Sequence, residues 1–340
     1  EHASHAVKCI QAKSLLLNGS NSNKLMKYSK KEAKEYAFQN MKGIWAAALN
    51  PFDEELSLDE KGLRSNLRHW IDDLEIDGFF VTGKQGEFFS MSIEERKKSF
   101  LIAVDECYGK AQTIVSCSDQ NFDTVMELGK YAENIGADYI VVHAPVLNFV
   151  SDRAEVLKNY YSELSSKLNI GIAMWSHPDS GYLMEPELCN EIANLENIVA
   201  IKYSVPRDMY KKLTTLANDR IIVSTASESD WYENIVELDW KLYLCSSPPF
   251  LIQTKNDKRM KKYTDLAFNK NFKEAKVVRD SLDTVRKAFH SSKPESKPHA
   301  HQKYWQELLG QVGGRTRFPN LELTDEEKKS IKHAFNDSGL

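Results

Sequence analysis

The sequence predicts an α/β fold, a (β/α)8 TIM barrel of parallel strands followed by additional helices. From Gly43 onward, short apolar segments rich in β-branched residues alternate with longer segments that have the 3.6-residue spacing of helices. Eight such strand candidates fall between residues 43 and about 265, close to the roughly 250 residues that this barrel occupies. Eight strands that alternate with helices favour a closed barrel.

The elements follow in order along the chain. The strand candidates are 43–52, 78–87, 113–119, 137–145, 169–178, 198–204, 220–227 and 241–248. Helices are predicted at 58–74, 93–108, 122–136 and 154–168, and the second begins with the spacing of a capping box, Ser92 and Glu95. After the barrel, further helices are predicted at 263–289 and 302–314, the last ending at Gly313 and Gly314.

These boundaries divide the chain into three parts. Residues 1–42 form an N-terminal extension, 43–265 the barrel, and 266–340 a helical region that packs on the barrel. Residues 1–25 show no clear apolar period and the first residue is not Met. We therefore expect part of the extension to be a tag or a leader, and the part after Met26 to be a helix.

Composition and charge exclude several classes of partner. The balance of 45 basic and 49 acidic residues gives no basic field for binding nucleic acid or an anionic membrane. No apolar stretch approaches the roughly 20 residues that cross a bilayer. The five cysteines lack CxxC spacing, which indicates reduced, buried thiols and a cytoplasmic location, or an organellar one if the extension is the remnant of a leader. They are Cys9, Cys107, Cys117, Cys189 and Cys245.

Lys202 is the most informative polar residue, because it ends the buried apolar run Ile198–Ile201. A lysine there reaches water, pairs with Glu87 or Glu228, or serves as an amine whose pKa is lowered by burial. Functional side chains of such barrels gather at the C-terminal ends of the strands. The other candidates at that mouth are Gly83, Lys84, Gln85, Gly86, His143, Trp175, His177, Thr225 and Ser246.

The order of these landmarks resembles the family of dihydrodipicolinate synthase and N-acetylneuraminate lyase, class I aldolases and lyases that act on pyruvate and related 2-oxo acids. The matching segments are NPFDEE, TGKQGEFFSMSIEER, AENIGADYIVVHAP and NIVAIKYS, within about 43–325. By this resemblance Lys202 forms the Schiff base, the loop at Gly83 to Gly86 receives the substrate carboxylate, and the protein is a homo-oligomer, a dimer or a tetramer.

The sequence departs from the family pattern at the site itself. Lys84 and Gln85 replace the usual hydroxyl residues of the carboxylate loop, and Trp175 replaces the tyrosine that shuttles protons. An indole only donates a hydrogen bond, so another group must move protons. His177 is the favoured substitute and His143 the second choice, because imidazole titrates near neutral pH. The diaromatic pair after strand four is also missing, replaced by Val146 and Leu147.

Neither a cofactor nor a metal is expected. No Gly-rich phosphate loop follows strand seven or eight, and the pair His299 and His301 has no nearby carboxylate or cysteine. The leading hypothesis is a class I lyase or aldolase that acts on pyruvate or another 2-oxo acid, and not dihydrodipicolinate synthesis itself. The alternatives are a dehydratase or hydratase-aldolase on a larger 2-oxo acid, and a degenerate barrel that serves as a 2-oxo acid sensor or scaffold.

Overall fold

The computed structural model describes residues 26–340, and its centre is a barrel of eight parallel strands in the hydrogen-bonded order β7-β6-β5-β4-β3-β2-β1-β8. The predicted (β/α)8 fold is confirmed. The strands are shorter than the predicted segments, because the polar ends of those segments form loops. They are β1 (Gly43–Ala47), β2 (Gly78–Val81), β3 (Gln112–Ser116), β4 (Tyr139–His143), β5 (Gly171–Ser176), β6 (Ile198–Tyr203), β7 (Ile222–Ser224) and β8 (Leu242–Ser246).

The barrel closes between β7 and β8 through a side chain. The hydroxyl of Ser224 donates to the carbonyl of Leu242 at 2.6 Å and accepts from the backbone N–H of Leu244 at 3.0 Å. One hydroxyl therefore satisfies two buried backbone groups that would otherwise lack partners at the seam. This side-chain bridge places β7, and with it the end of β6, against β8.

Helices alternate with the strands around the outside, as predicted. They are α1 (Ala33–Asn40), α2 (Glu60–Asp72), α3 (Ile93–Cys107), α4 (Phe122–Ile135), α5 (Arg153–Lys167), α6 (Pro186–Ile192), α7 (Arg207–Ala217), α8 (Trp231–Leu238) and α9 (Pro248–Leu251). The capping box at the start of α3 is confirmed: Ser92 Oγ accepts from the N–H of Glu95, and the Glu95 carboxylate accepts from the N–H of Ser92. After the barrel follow α10 (Arg259–Phe268), α11 (Phe272–Asp280), α12 (Asp283–Ser291), α13 (Pro298–Leu308) and α14 (Asp325–Asp337).

The predicted boundaries of both tail helices were wrong. The segment expected to be helical at 263–289 divides among α10, α11 and α12, and Lys270, with a φ of 64°, separates the first two. The helix expected at 302–314 is α13, which starts at Pro298, a residue suited to the first helical turn. It ends before Gly310, which has a φ of 78°, so the first glycine after the apolar run stops the helix and not Gly313. The expected tag or leader and Cys9 lie outside the described residues.

The barrel interior has an apolar floor at the N-terminal ends of its strands. Trp45 and Tyr139 fill this end of the interior with their ring centres 6.1 Å apart, and Ala37 of α1 belongs to the same cluster. The hydroxyl of Tyr28, just before α1, accepts from the first N–H of β5 at 2.9 Å. These contacts close the N-terminal end of the barrel.

The four cysteines in the described part of the chain are all buried and free. No helix within residues 26–340 is long and apolar enough to cross a membrane.

Candidate active site

Lys202 projects into the barrel near its C-terminal mouth. Its ammonium nitrogen lies 4.6 Å from the ring centre of Phe80 and 4.9 Å from that of Trp175, and the residue is only 3% exposed. Trp175 on β5 lies directly beside Lys202 in the sheet register, and Phe80 meets Trp175 edge to face at 5.4 Å. The lysine therefore ends between two aromatic walls.

Burial lowers the pKa of Lys202 below its usual value, and the positive charge of Lys84 adds to this effect. The sulfur of Cys245 lies 4.0 Å from the nitrogen of Lys202. Burial raises the pKa of this thiol to about 11, so at neutral pH Cys245 stays protonated and provides no negative charge. The setting favours a neutral amine, which is the nucleophilic form of lysine.

The two carboxylates considered as partners for Lys202 are occupied elsewhere. Glu87 is fully buried and forms an ion pair at 2.6 Å with Lys303 of α13. Glu228 forms an ion pair with Arg286 of α12, with its Oε2 at 2.6 Å from Nε, and its Oε1 accepts from the hydroxyl of Tyr263 at 2.7 Å. The paired-lysine interpretation of Lys202 is therefore wrong for both partners.

Two histidines line the same mouth beside Trp175. His143, at the end of β4, meets the Trp175 ring edge to face at 4.7 Å, and His177, just after β5, lies 6.2 Å from it. Burial lowers the pKa of His143 to about 4, so this ring is neutral at physiological pH. Burial also lowers the pKa of His177, although the carboxylate of Asp179 acts in the opposite direction.

An ion pair joins the loop after β2 to the turn after β5. Lys84 Nζ lies 2.6 Å from Asp179 Oδ2, and the other oxygen of Asp179 lies 3.2 Å from His177 Nδ1. Burial acts to raise the pKa of Asp179, but the hydrogen bond from Lys84 and the positive charges around it lower the pKa further than burial raises it. Asp179 is therefore ionised at neutral pH and lies between a lysine and a histidine.

The loop after β2 is tightly constrained. A side chain at Gly83 would approach the Phe80 ring to 1.8 Å, and one at Gly86 would approach the carbonyl of Ala48 to 2.9 Å. Glu87 has a φ of 60°, in the left-handed region that non-glycine residues rarely adopt. The loop can hold this shape because its buried carboxylate is fixed from the tail.

The C-terminal tail supplies those contacts. Besides Lys303, the side-chain amide of Asn320 donates to Glu87 Oε2 at 2.8 Å. His299 Nε2 lies 3.0 Å from the backbone carbonyl of Lys84, and burial lowers the pKa of His299. A neutral ring whose Nε2 carries the proton donates to that carbonyl, so α13 supports the loop at two points. The other member of the HxH pair, His301, contacts Ser292 at 3.0 Å instead.

The remaining predicted site residues differ in their surroundings. Gln85 has a buried side-chain oxygen without a hydrogen-bond partner, and Trp175 has a buried indole N–H without one. Thr225 is buried after β7. Ser246 lies 2.7 Å from the hydroxyl of Tyr243 and donates to the carbonyl of Ala226 at 3.1 Å, so its hydroxyl is engaged at the barrel seam.

Sequence reasoning missed four residues of this arrangement. Phe80 alternates with outward-facing residues on a predicted strand, so strand periodicity could have placed it beside Lys202. Cys245 directly follows the interior residue Leu244, where the register of β8 against β1 shifts, so the same periodicity would have placed it outward. Asp179 lies two residues after His177 and is the acidic residue nearest to it in the sequence, so this spacing could have suggested a pair. His299 reaches the site only through the packing of α13, and no local pattern signals such a contact.

The chain is similar to several known proteins. A model of the dihydrodipicolinate synthetase family matches residues 40–337. CdNal from Clostridium difficile, solved in complex with mannosamine, is 26% identical with a TM-score of 0.77, over 87% of this chain and 98% of that one. N-acetylneuraminate lyase from Fusobacterium nucleatum is 24% identical with a TM-score of 0.77, over 87% of this chain and 98% of that one.

A third solved structure is the chloride-inhibited dihydrodipicolinate synthase from Acinetobacter baumannii complexed with pyruvate. It is 19% identical with a TM-score of 0.77, over 88% of this chain and 99% of that one. At 24% and 19% identity, the second and third likenesses show the fold alone.

The buried amine predicts a pH-dependent stability. Between the lowered pKa of folded Lys202 and its usual value near 10.4, the unfolded chain binds one more proton, so stability rises with pH. Lys202→Met lacks this dependence. At pH 7 we expect Lys202→Met to be more stable than the wild type and to have the higher Tm. The difference in the free energy of unfolding should be about 1.4 kcal/mol for each unit by which the pKa of Lys202 is lowered, and it should shrink toward pH 10.

Scanning calorimetry of both proteins from pH 6 to 10 measures this difference. Lys158→Met is the matched control, because Lys158 pairs with Glu191 on the surface and is 47% exposed. Its difference from the wild type should be small and independent of pH. A Lys202→Met protein that is less stable at pH 7, or a constant difference, would contradict the lowered pKa.

Proposed function

The chain belongs to the dihydrodipicolinate synthetase family, as its motifs predict, and on this premise we propose that it is a class I lyase or aldolase that forms a Schiff base between Lys202 and a 2-oxo acid. The observation that carries this proposal is the buried amine between Phe80 and Trp175, which has a lowered pKa.

The chemistry follows from the state of the amine. Neutral Lys202 attacks the carbonyl carbon of the 2-oxo acid, and loss of water from the adduct leaves a protonated imine. This cation accepts the electron pair of the bond between C3, the carbon next to the imine carbon, and C4 during cleavage, which leaves an enamine and releases the C4 fragment as a carbonyl compound. When the enamine forms for condensation, the cation accepts the electron pair of a C–H bond on C3, and a base takes the proton. The aromatic faces of Phe80 and Trp175 stabilise the positive charge of the imine, since each already lies within 5 Å of the lysine nitrogen.

The substrate carboxylate is assigned to the loop after β2. Backbone N–H groups of a Gly-flanked loop form an anion-binding concavity, and Lys84 adds a positive charge there. The indole N–H of Trp175, which has no hydrogen-bond partner, is a further donor to the carboxylate on the wall of the same pocket. As in an oxyanion hole, donors that are already fixed in place stabilise the negative charge of the carboxylate better than mobile water does. The family membership also leads us to expect a dimer or tetramer.

His177 is the proposed proton carrier in place of the family tyrosine. Its Nδ1 accepts from the backbone N–H of Asp179 at 3.1 Å and lies 3.2 Å from Asp179 Oδ1, so Nδ1 is the unprotonated nitrogen of the neutral ring, and the carboxylate stabilises the ring once it has taken up a proton. His143 is the weaker candidate, because its pKa of about 4 makes it a poor base at neutral pH. Asp179 acts in this scheme as a positioning residue.

The first prediction of this proposed function concerns the nucleophile. Borohydride added with pyruvate should reduce the imine, and intact-mass measurement should show one covalent adduct per wild-type chain. Lys202→Met should give none, because a thioether cannot condense with a carbonyl, whereas the surface variant Lys158→Met should retain the adduct. An adduct in Lys202→Met would assign the imine to another lysine. No wild-type adduct with a panel of 2-oxo acids would favour the sensor alternative.

The second prediction concerns substrate choice. Lys84 and Gln85 replace hydroxyl residues, and Trp175 cannot relay a proton as a tyrosine does. We therefore expect negligible condensation of pyruvate with aspartate semialdehyde in a coupled assay, with an authentic dihydrodipicolinate synthase as the positive control. Turnover within about tenfold of that control would show that these substitutions do not redirect the substrate.

The third prediction concerns proton transfer. Enamine formation exchanges the methyl protons of pyruvate for deuterium in D₂O, and NMR follows this exchange without knowledge of the second substrate. His177→Gln should slow the exchange at saturating pyruvate by at least about tenfold, since a positioned base is worth roughly 10²- to 10⁴-fold. His143→Gln should have a smaller effect.

The pH dependence supplies a second measure of the same step. If neutral His177 is the base, the wild-type rate falls as pH drops through its pKa, which burial places below 6.5. This acidic limb should disappear in His177→Gln. A variant that keeps both the rate and the limb would remove His177 from the relay.

A further inference from the structure

The ion pair between Lys84 and Asp179 crosses the mouth of the barrel. Lys84 lies on the loop after β2 and Asp179 in the short 3-10 turn Pro178–Ser180 after β5, and strands β3 and β4 separate β2 from β5 in the sheet. Phe80 and Trp175, on the same two strands, form the aromatic walls around Lys202. The ion pair thus links the two loops that follow those walls.

The ion pair faces the site as well as solvent. The side chains of Lys84 and Asp179 are 40% and 50% exposed. The charge of Lys84 nevertheless acts on both Lys202 and His177, which places it within electrostatic reach of the pocket. An ion pair with this exposure is worth little by itself, so either member can exchange its partner at small cost.

We propose that the carboxylate of the incoming 2-oxo acid binds Lys84, that the carboxylate of Asp179 takes this position in the ligand-free protein, and that substrate binding displaces Asp179 from this lysine. The inference rests on the proposed function, because it assumes that the ligand of the pocket is a 2-oxo acid. It makes Lys84 the specificity residue for the acid group and Asp179 an internal competitor.

Displacement is favourable because Asp179 loses little when it is released. Its other oxygen already lies 3.2 Å from His177 Nδ1, and half of its side chain is open to water. The substrate carboxylate, by contrast, enters a pocket that holds Lys84 and the future iminium charge of Lys202, where fewer water molecules screen the attraction. A neutral ketone cannot compete with Asp179 and leaves the mouth closed.

Calorimetric titration with pyruvate tests the competition directly. Asp179→Asn keeps the shape of the side chain but removes its charge, so pyruvate should bind about two- to fivefold more tightly, the range expected for a partly exposed ion pair. Lys84→Met should weaken binding. In the double variant Lys84→Met with Asp179→Asn, the affinity should be no better than in Lys84→Met alone, because the competitor acts only through the lysine.

The matched control is Asp280→Asn. Asp280 forms a 2.6 Å ion pair with Lys276 within α11, one of the helices that follow the barrel. It should leave the pyruvate affinity unchanged. Weaker or equal binding in Asp179→Asn, or a gain that persists in the double variant, would overturn the inference, as would a wild-type protein that binds no pyruvate. Binding without a borohydride adduct would overturn the proposed function and leave the competition standing on the measured affinities.

Discussion

The site depends on one constraint, an amine held inside an apolar barrel. Removal of an ammonium from water costs several kcal/mol, and within residues 26–340 no carboxylate is among the groups that shift the pKa of Lys202, since Cys245 is a protonated thiol at neutral pH and Lys84 is itself positive. Two aromatic faces and loss of the proton reduce this cost. The surrounding barrel has to provide the stability that Lys202 does not. Its closed floor and its continuous layer of strands serve that purpose.

The walls of the pocket are held from distant parts of the chain. Glu87 adopts a left-handed backbone conformation with a fully buried carboxylate, which Lys303 neutralises and to which Asn320 of the tail donates a hydrogen bond. Loss of one partner from a buried ion pair costs roughly 3–5 kcal/mol, far more than a surface pair contributes. Helix α13 and the loop after β2 are therefore one cooperative unit, and the tail is part of the architecture of the site.

This division explains what the sequence could predict. The eight strands and Lys202 were predictable, because alternation and a buried apolar run are local patterns. The partners of Glu87 and Glu228 were not, since Lys303 and Arg286 are distant in sequence and meet them only after the tail has packed on the barrel. The end of α13 was misplaced for a local reason, because two glycine signals were close together and Gly310 came first.

In the proposed mechanism, the burial that lowers the pKa of Lys202 also favours an acid as the substrate. Without ligand the mouth disfavours charge: burial lowers the pKa of Lys202 and His143, and Asp179 balances the charge of Lys84. If Lys202 forms the proposed imine, a positive charge appears in a pocket that disfavours charge. A carboxylate on the adjacent carbon of the substrate supplies the opposite charge at close range, where the low dielectric strengthens the attraction. A simple ketone would form the same cation with no negative charge beside it, so the proposed mechanism favours 2-oxo acids through the charge of the intermediate as well as through binding.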